Sequence, residues 1–495
     1  MSNSAYDQLL DHQKQTEALS QINRLLHWDK DVMMPAAGTD QRGEQSGALQ
    51  AVLHARATDP RVGDWLAAID ADALDPVGRA NVRLAAQSRD RAMKVPADLA
   101  VAQSRLTARA TTVWAEARSN SDFKSFAPIL EEVINLTRQE AECLATDDRS
   151  TYDALLNDFE LGATEAGIAE TFDRLRVGLV DLRAWIMESG VAVTDPSGTF
   201  PADAQMDIAR QMATGLRYDW AAGRLDLTVH PFCSGTRGDA RITTRVDEAD
   251  PFNCLYSTIH ETGHGLYEQG LDPDLEWQPA GSSVSMGVHE SQSRLCENQI
   301  GRSAAYAEWL FPKMLEKFGD FGLPDPDALY RAVNRVRPGF IRTEADEVHY
   351  NLHIMMRFDL ERALIRGDLT VSDLEAAWND RFLTDFGQPV TDAADGVLQD
   401  VHWSAGLFGY FPTYTLGNLY AAELWSKIRE ELGDVDAMIR DGDVGPIIDW
   451  LRRTIHRRGS ILTPLELITE AIGHAPTEQA LLDYLNGKFG ALYGV

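Results

Sequence analysis

The chain is 495 residues long and carries a formal net charge of −30, from 76 acidic and 46 basic side chains. So acidic a surface repels phosphate backbones and anionic lipid, which argues against nucleic-acid and membrane partners. No apolar run approaches the length of a membrane span, and the polar stretch Met1 to Thr16 lacks an apolar core of signal-peptide type.

Four cysteines (Cys143, Cys233, Cys254 and Cys296) lie far apart with no C-x-x-C pair, as expected of reduced thiols in a cytoplasmic protein. Cys254 and Cys296 flank the motif discussed below, so a minor role in metal binding stays open for them. The length by itself suggests about three domains, yet no linker, repeat or low-complexity tract offers a boundary. The expectation is one large, mainly helical body over 1–495, with a helical N-terminal half to about 220 and a half from about 221 that carries strands and a metal site.

In chain order, Leu9, Leu10, Ala18, Ile22, Leu25, Leu26 and Trp28 recur at helical spacing and predict a helix over 5–28. A break follows over Asp29 to Gly38, then a helix from about Gln41 to Arg56. Several more helices fill Val62 to Leu161, with Pro60, Pro76, Pro96 and Pro128 as joints, and two amphipathic pieces follow at about 163–189 and 203–216. The pattern changes at Arg224. Leu225, Leu227 and Val229 alternate with polar residues, as do Ala240, Ile242 and Thr244, so two short strands are predicted, joined by the turn-rich loop His230 to Gly238. His230 is either a site residue or ordinary packing.

The segment Asn253 to Gln269 reads as a helix and contains His260-Glu261-Thr262-Gly263-His264. Residues four apart on a helix share a face, so both imidazoles can reach one ion, with the Glu261 carboxylate beside it. Zinc accepts such ligands and, in catalytic sites, keeps one position open for water. Five characters with three fixed also arise by chance, so a third ligand is required. The predicted helix Ser282 to Ile300 offers Glu290, with twenty-five residues between it and His264, and Glu297 as runner-up. A His-His-Glu set is that of one class of zinc peptidases.

Farther on, a helix is predicted from Gly339 to about Arg366. Its pair His349 and His353 has no Glu between as in the first motif, and reads as packing or an outer shell. Arg342 offers a planar fork suited to a terminal carboxylate. The stretch Gly396 to Tyr414 crowds Gly with aromatics around His402, Tyr410 and Tyr414, whose donors suit a developing oxyanion and whose rings equally suit a core. The rest, 415–495, reads as helical.

Together these blocks resemble the carboxypeptidase Taq family: Trp28-Asp29, Met34-Pro35, His230-Pro231-Phe232, Asp239-Ala240-Arg241-Ile242-Thr243, His260 to His264, His289 to Gln292, Ile341-Arg342 through Ala345-Asp346, and Gly396 to Trp403. The resemblance implies a mainly α fold like the neurolysin and angiotensin-converting peptidases, two-lobed with a deep cleft and a small antiparallel sheet. It implies a homodimer that removes single C-terminal residues from peptides with broad specificity, with one zinc or cobalt per chain. By position, His260, His264 and Glu290 resemble the metal ligands and Glu261 the general base. Arg342 resembles the carboxylate receptor, and His402 with Tyr410 or Tyr414 the groups near the scissile carbonyl. His230, Asp239 and Arg241 resemble residues that close the substrate groove. An endo-acting oligopeptidase on the same scaffold and a dimetal oxidase are the alternatives; the oxidase needs Glu-x-x-His pairs on two helices, and only Glu261 to His264 supplies one.

Overall fold

A computed structural model describes residues 4–494; Met1 to Asn3, the start of the polar N-terminal stretch, lie outside the described residues. The chain is mainly helical, with one three-stranded sheet among the described residues. It forms two compact units: one from residues up to Met93 with Val193–Val333 and Tyr420–Ala475, the other from Lys94–Ala192, Asn334–Leu419 and the described residues from Pro476 on.

Most predicted helices are present with small shifts at their ends. The first runs Ala5–Val32, longer than predicted. Its start is closed by Ser4 and Asp7, each bonding the other's backbone N–H as a capping box. Thr39–Ala57, Glu165–Glu188 and Ala202–Gly215 follow as expected. Pro60, Pro76 and Pro96 do mark helix starts, where a missing N–H costs nothing. Pro128 does not mark a joint. It lies inside the helix Phe123–Leu144, whose face Phe126, Ile129, Leu130, Val133 and Ile134 is buried and outweighs one lost backbone bond.

In the first unit the sheet needs two corrections. It has three strands rather than two, β1 (Gly223–Leu227), β2 (Cys233–Thr236) and β3 (Asp239–Thr244), and it is mixed rather than antiparallel. Central β3 pairs parallel with β1 and antiparallel with β2. Part of the predicted loop is therefore a strand, recruited by the free edge of β3. β3 packs on the helix Pro251–Gly270, and the Thr244 hydroxyl donates to the Cys254 carbonyl at 3.0 Å, tying the strand end to the helix start. Asp250 caps that helix through the Phe252 N–H, with Pro251 at the first helical position.

In the second unit the helix Glu347–Arg366 is buried on nearly every side. It is preceded by a short turn of 3-10 helix at Arg342–Glu344, so the predicted long helix from Gly339 begins late. His349 and His353 serve this core. His349 contacts Asp346 through Nδ1 at 2.8 Å and accepts from Arg183 Nε at 3.1 Å, while His353 packs on Phe382 and Phe386.

Candidate metal centre

The motif helix Pro251–Gly270 returns through a loop to the helix Met286–Arg294, which continues as a π-helical segment, Leu295–Gly301. The return helix starts at Ser285, whose hydroxyl accepts from the Val288 N–H at 3.1 Å. The two helices approach closely because Gly263, inside the motif, has no side chain. A Cβ there would stand 2.5 Å from both the Gln292 carbonyl oxygen and Ser293 Cα, which are return-helix backbone and cannot rotate away. We expect Gly263→Ala to cost about 1–3 kcal/mol by overpacking and to loosen metal retention by pushing Glu290 back. A thermal melt and a metal assay check this; an unshifted melting point would contradict the close approach.

His260, His264 and Glu290 come together: one donor atom from each lies within 4.8 Å of the others. Both imidazoles turn Nε2 toward one oxygen, Glu290 Oε2, at 3.5 Å from His260 and 3.3 Å from His264. Two imidazoles and a carboxylate, all aimed inward, fit a divalent ion and leave room for a fourth ligand. Glu290 is buried and accepts from Arg294 Nε at 2.7 Å and from the Ser293 hydroxyl at 3.0 Å. Burial would raise its pKa, but Arg294 and the two histidines outweigh that and hold it well below the usual range. It is a carboxylate, ready to ligate.

Glu261 is also buried, and burial pushes its carboxyl up to about 7. Burial brings His264 down to about 3, whereas for His260 burial is outweighed by Glu290 and Glu297 and the pKa rises. Glu297, the runner-up ligand from sequence, lies on the outer side: its Oε2 meets His260 Nδ1 at 2.9 Å rather than joining Glu290. Cys254 and Cys296 are buried free thiols outside the donor group, raised by burial to about 11 and about 12.

The remaining candidates of this unit gather elsewhere. Asp239 and Arg241 on β3 pair with each other, Nε to Oδ1 and Nη2 to Oδ2 both at 2.8 Å, and the guanidinium lies 4.1 Å from the Trp28 ring centroid. His230 is exposed just beyond β1.

In the second unit Arg342 is buried, and its fork is already engaged. Nε and Nη2 each lie 2.9 Å from Asp400 Oδ1, while Nη1 faces the Tyr350 hydroxyl at 3.3 Å and the guanidinium stands 5.0 Å from the Tyr414 ring. Asp400 also accepts from fully buried Arg357 at 2.6 Å. Burial lowers Arg357 to about 10, so both guanidiniums stay charged near neutrality. His402 Nε2 meets the Tyr414 hydroxyl at 3.1 Å, its ring stacks on Phe411 at 4.4 Å, and burial lowers its pKa to about 3, leaving a neutral imidazole. The Tyr410 ring lies 5.6 Å from His402 and 5.3 Å from Tyr414. Sequence reasoning singled out neither Asp400 nor Arg357; the available signal was an acid and a base on segments already marked.

Residues 8–489 match the profile of a family described as carboxypeptidase Taq (M32) metallopeptidase. Thermostable carboxypeptidase 1 of Thermus thermophilus is 43% identical over 508 aligned residues, covering 99% of this chain and 99% of its own. Carboxypeptidase 1 of Bacillus subtilis is 36% identical and covers 97% of each chain. Among solved structures, metallocarboxypeptidase 1 of Trypanosoma cruzi gives a TM-score of 0.95 at 36% identity, covering 98% of this chain and 99% of its own. The M32 carboxypeptidase of Deinococcus radiodurans gives 0.94 at 37%, covering 99% and 100%. No helix among the described residues is long and apolar enough to cross a membrane.

Proposed function

We propose a division of labour that starts from one premise: the chain belongs to the carboxypeptidase Taq (M32) metallopeptidase family. It is a hydrolase of the metallocarboxypeptidase type, and that membership favours neither the oligopeptidase nor the dimetal oxidase alternative. The observation that carries the assignment of residues is the convergence of His260 Nε2 and His264 Nε2 on Glu290 Oε2. These three would hold the divalent ion, one per chain. Zinc is the proposed ion, with cobalt as a substitute, because two imidazoles and a carboxylate are its usual catalytic ligands.

When bound, the ion supplies Lewis acidity at the scissile carbonyl and a water of lowered pKa. The Glu261 carboxylate, next in sequence to ligand His260, would accept a proton from the attacking water and return it to the leaving amine. Tyr414, with Tyr410 beside it and its hydroxyl on neutral His402, donates to the oxygen on which charge develops. Arg342 holds the terminal carboxylate of the peptide. Asp239, Arg241 and His230 contact substrate away from the scissile bond. The whole chain acts as one peptidase domain, cytoplasmic in keeping with its four free cysteines, and as a homodimer by family likeness.

Digestion of a mixed peptide and its C-terminally amidated twin by zinc-loaded protein, read by mass spectrometry with a chelator control, tests the reading. A chelator-sensitive ladder, one residue at a time from the free C-terminus with the twin spared, is the expected result. Internal cuts in both peptides would overturn it.

A further inference from the structure

Each of the two imidazoles uses its second ring nitrogen on a different partner. His260 Nδ1 faces a carboxylate, Glu297, which is itself engaged by Arg294 Nη1 at 3.3 Å and Arg302 Nη2 at 3.1 Å. His264 Nδ1 instead lies 2.5 Å from His289 Nδ1. At that separation one nitrogen must carry the proton and the other a lone pair, since two N–H groups or two lone pairs would repel. The far side of His289 decides which. Its Nε2 lies 3.0 Å from Glu268 Oε1, and a carboxylate oxygen accepts, so Nε2 carries the His289 proton and Nδ1 carries the lone pair. With an ion held between His264 Nε2 and Glu290, His264 would keep its proton on Nδ1, directed at His289, and present the Nε2 lone pair to the ion.

The chain of donors is built into the two helices. Glu268 follows His264 by four residues on the motif helix, so the two share a face. His289 precedes Glu290 on the return helix, and its ring is held against Tyr267 at 5.1 Å between centroids. The Ser283 hydroxyl donates to the same Glu268 oxygen at 3.3 Å.

We propose that His289 and Glu268 are positioning residues that fix the tautomer and ring angle of His264 for metal binding. This rests on the reading of His264 as a ligand. Outer partners of this kind are worth about 10- to 100-fold in metal affinity. Because the partner of His264 is an imidazole and that of His260 a carboxylate, the two ligands differ in basicity.

The test measures zinc affinity by competition with a chromophoric chelator, the visible spectrum of the cobalt-loaded protein, and the melting point of the metal-free chain. His289→Phe keeps a ring but removes the acceptor; it should bind zinc about 10- to 100-fold more weakly and shift the cobalt bands. His289→Asn, whose side-chain oxygen can stand near the lost Nδ1, should recover most of the affinity and the parent spectrum, and Glu268→Ala should weaken binding in the same direction. His264→Ala is the control for the ligand reading and should lose the metal. If His289→Phe binds zinc like the parent while His264→Ala does not, the positioning role is overturned and the ligand stands. If His289→Asn is as weak as His289→Phe, with both metal-free melting points lowered alike, His289 is only a packing residue. If His264→Ala keeps its zinc, the ligand assignment itself fails.

Discussion

Glu261→Gln is expected to keep its metal and lose turnover by on the order of 10²–10⁴-fold. The change replaces one carboxylate oxygen with an amide nitrogen of similar size, so the buried site on the motif helix is refilled without a cavity. Neither His260, His264 nor Glu290 is touched, and their three donor atoms converge without Glu261 among them. What disappears is a group able to accept a proton, because an amide is not a base at any working pH. The checks are kcat on a free peptide and metal content per chain, from one preparation. Ordinary turnover with the metal in place would remove Glu261 from the chemistry. Joint loss of metal and turnover would make it a ligand or a packing residue. Glu261→Asp, which keeps the base and withdraws it by one methylene, should fall between the parent and the Gln variant.

The parts of the site legible in the sequence are those set by local geometry. Helical spacing alone puts His260 and His264 on one face, and the distance to Glu290 leaves room for a turn and a return helix. What was not legible depends on tertiary partners. A π-helical turn is recognised by its hydrogen bonds rather than by a residue pattern, so in sequence Glu297 reads as the runner-up to Glu290 for the third ligand instead of the partner of His260 Nδ1. The His264–His289–Glu268 chain likewise needs both helices in place, since His289 and Glu290 are neighbours in sequence and face different tasks. β2 escaped notice because Cys-Ser-Gly-Thr has no apolar alternation; the strand exists because β3 offers it an edge. Gly263 reads as a mild helix breaker in isolation and is required only because the Gln292 and Ser293 backbone passes so near. The helical fold itself was readable almost throughout, because amphipathic periodicity and proline placement act within one element. Pro128 is the exception, since its helix is held by a buried face beyond its own turn.

Arg342→Met should raise the Michaelis constant for peptides with a free C-terminus by about 10- to 100-fold, as loss of a charge-assisted contact worth about 1.5–3 kcal/mol implies, and should leave residual cleavage of amidated peptides unchanged. Arg342 and Arg357 are both buried and share one carboxylate, Asp400, while burial keeps the adjacent His402 neutral. A second carboxylate brought to this group meets excess positive charge in a setting of low dielectric, where the attraction is strongest. The Nε and Nη2 edge of Arg342 is committed to Asp400, so on the proposed role a terminal carboxylate would be met from the Nη1 side, next to Tyr350 and Tyr414. Arg342→Met leaves Asp400 paired with Arg357, so no bare charge is stranded and the chain should fold. Arg342→Lys retains the charge without the planar fork that Asp400 fixes, and should give an intermediate constant. Steady-state kinetics on matched free and amidated peptides decide the matter: a rise confined to the free series assigns the carboxylate to Arg342, and an equal loss on both assigns the residue to the packing of its own loop.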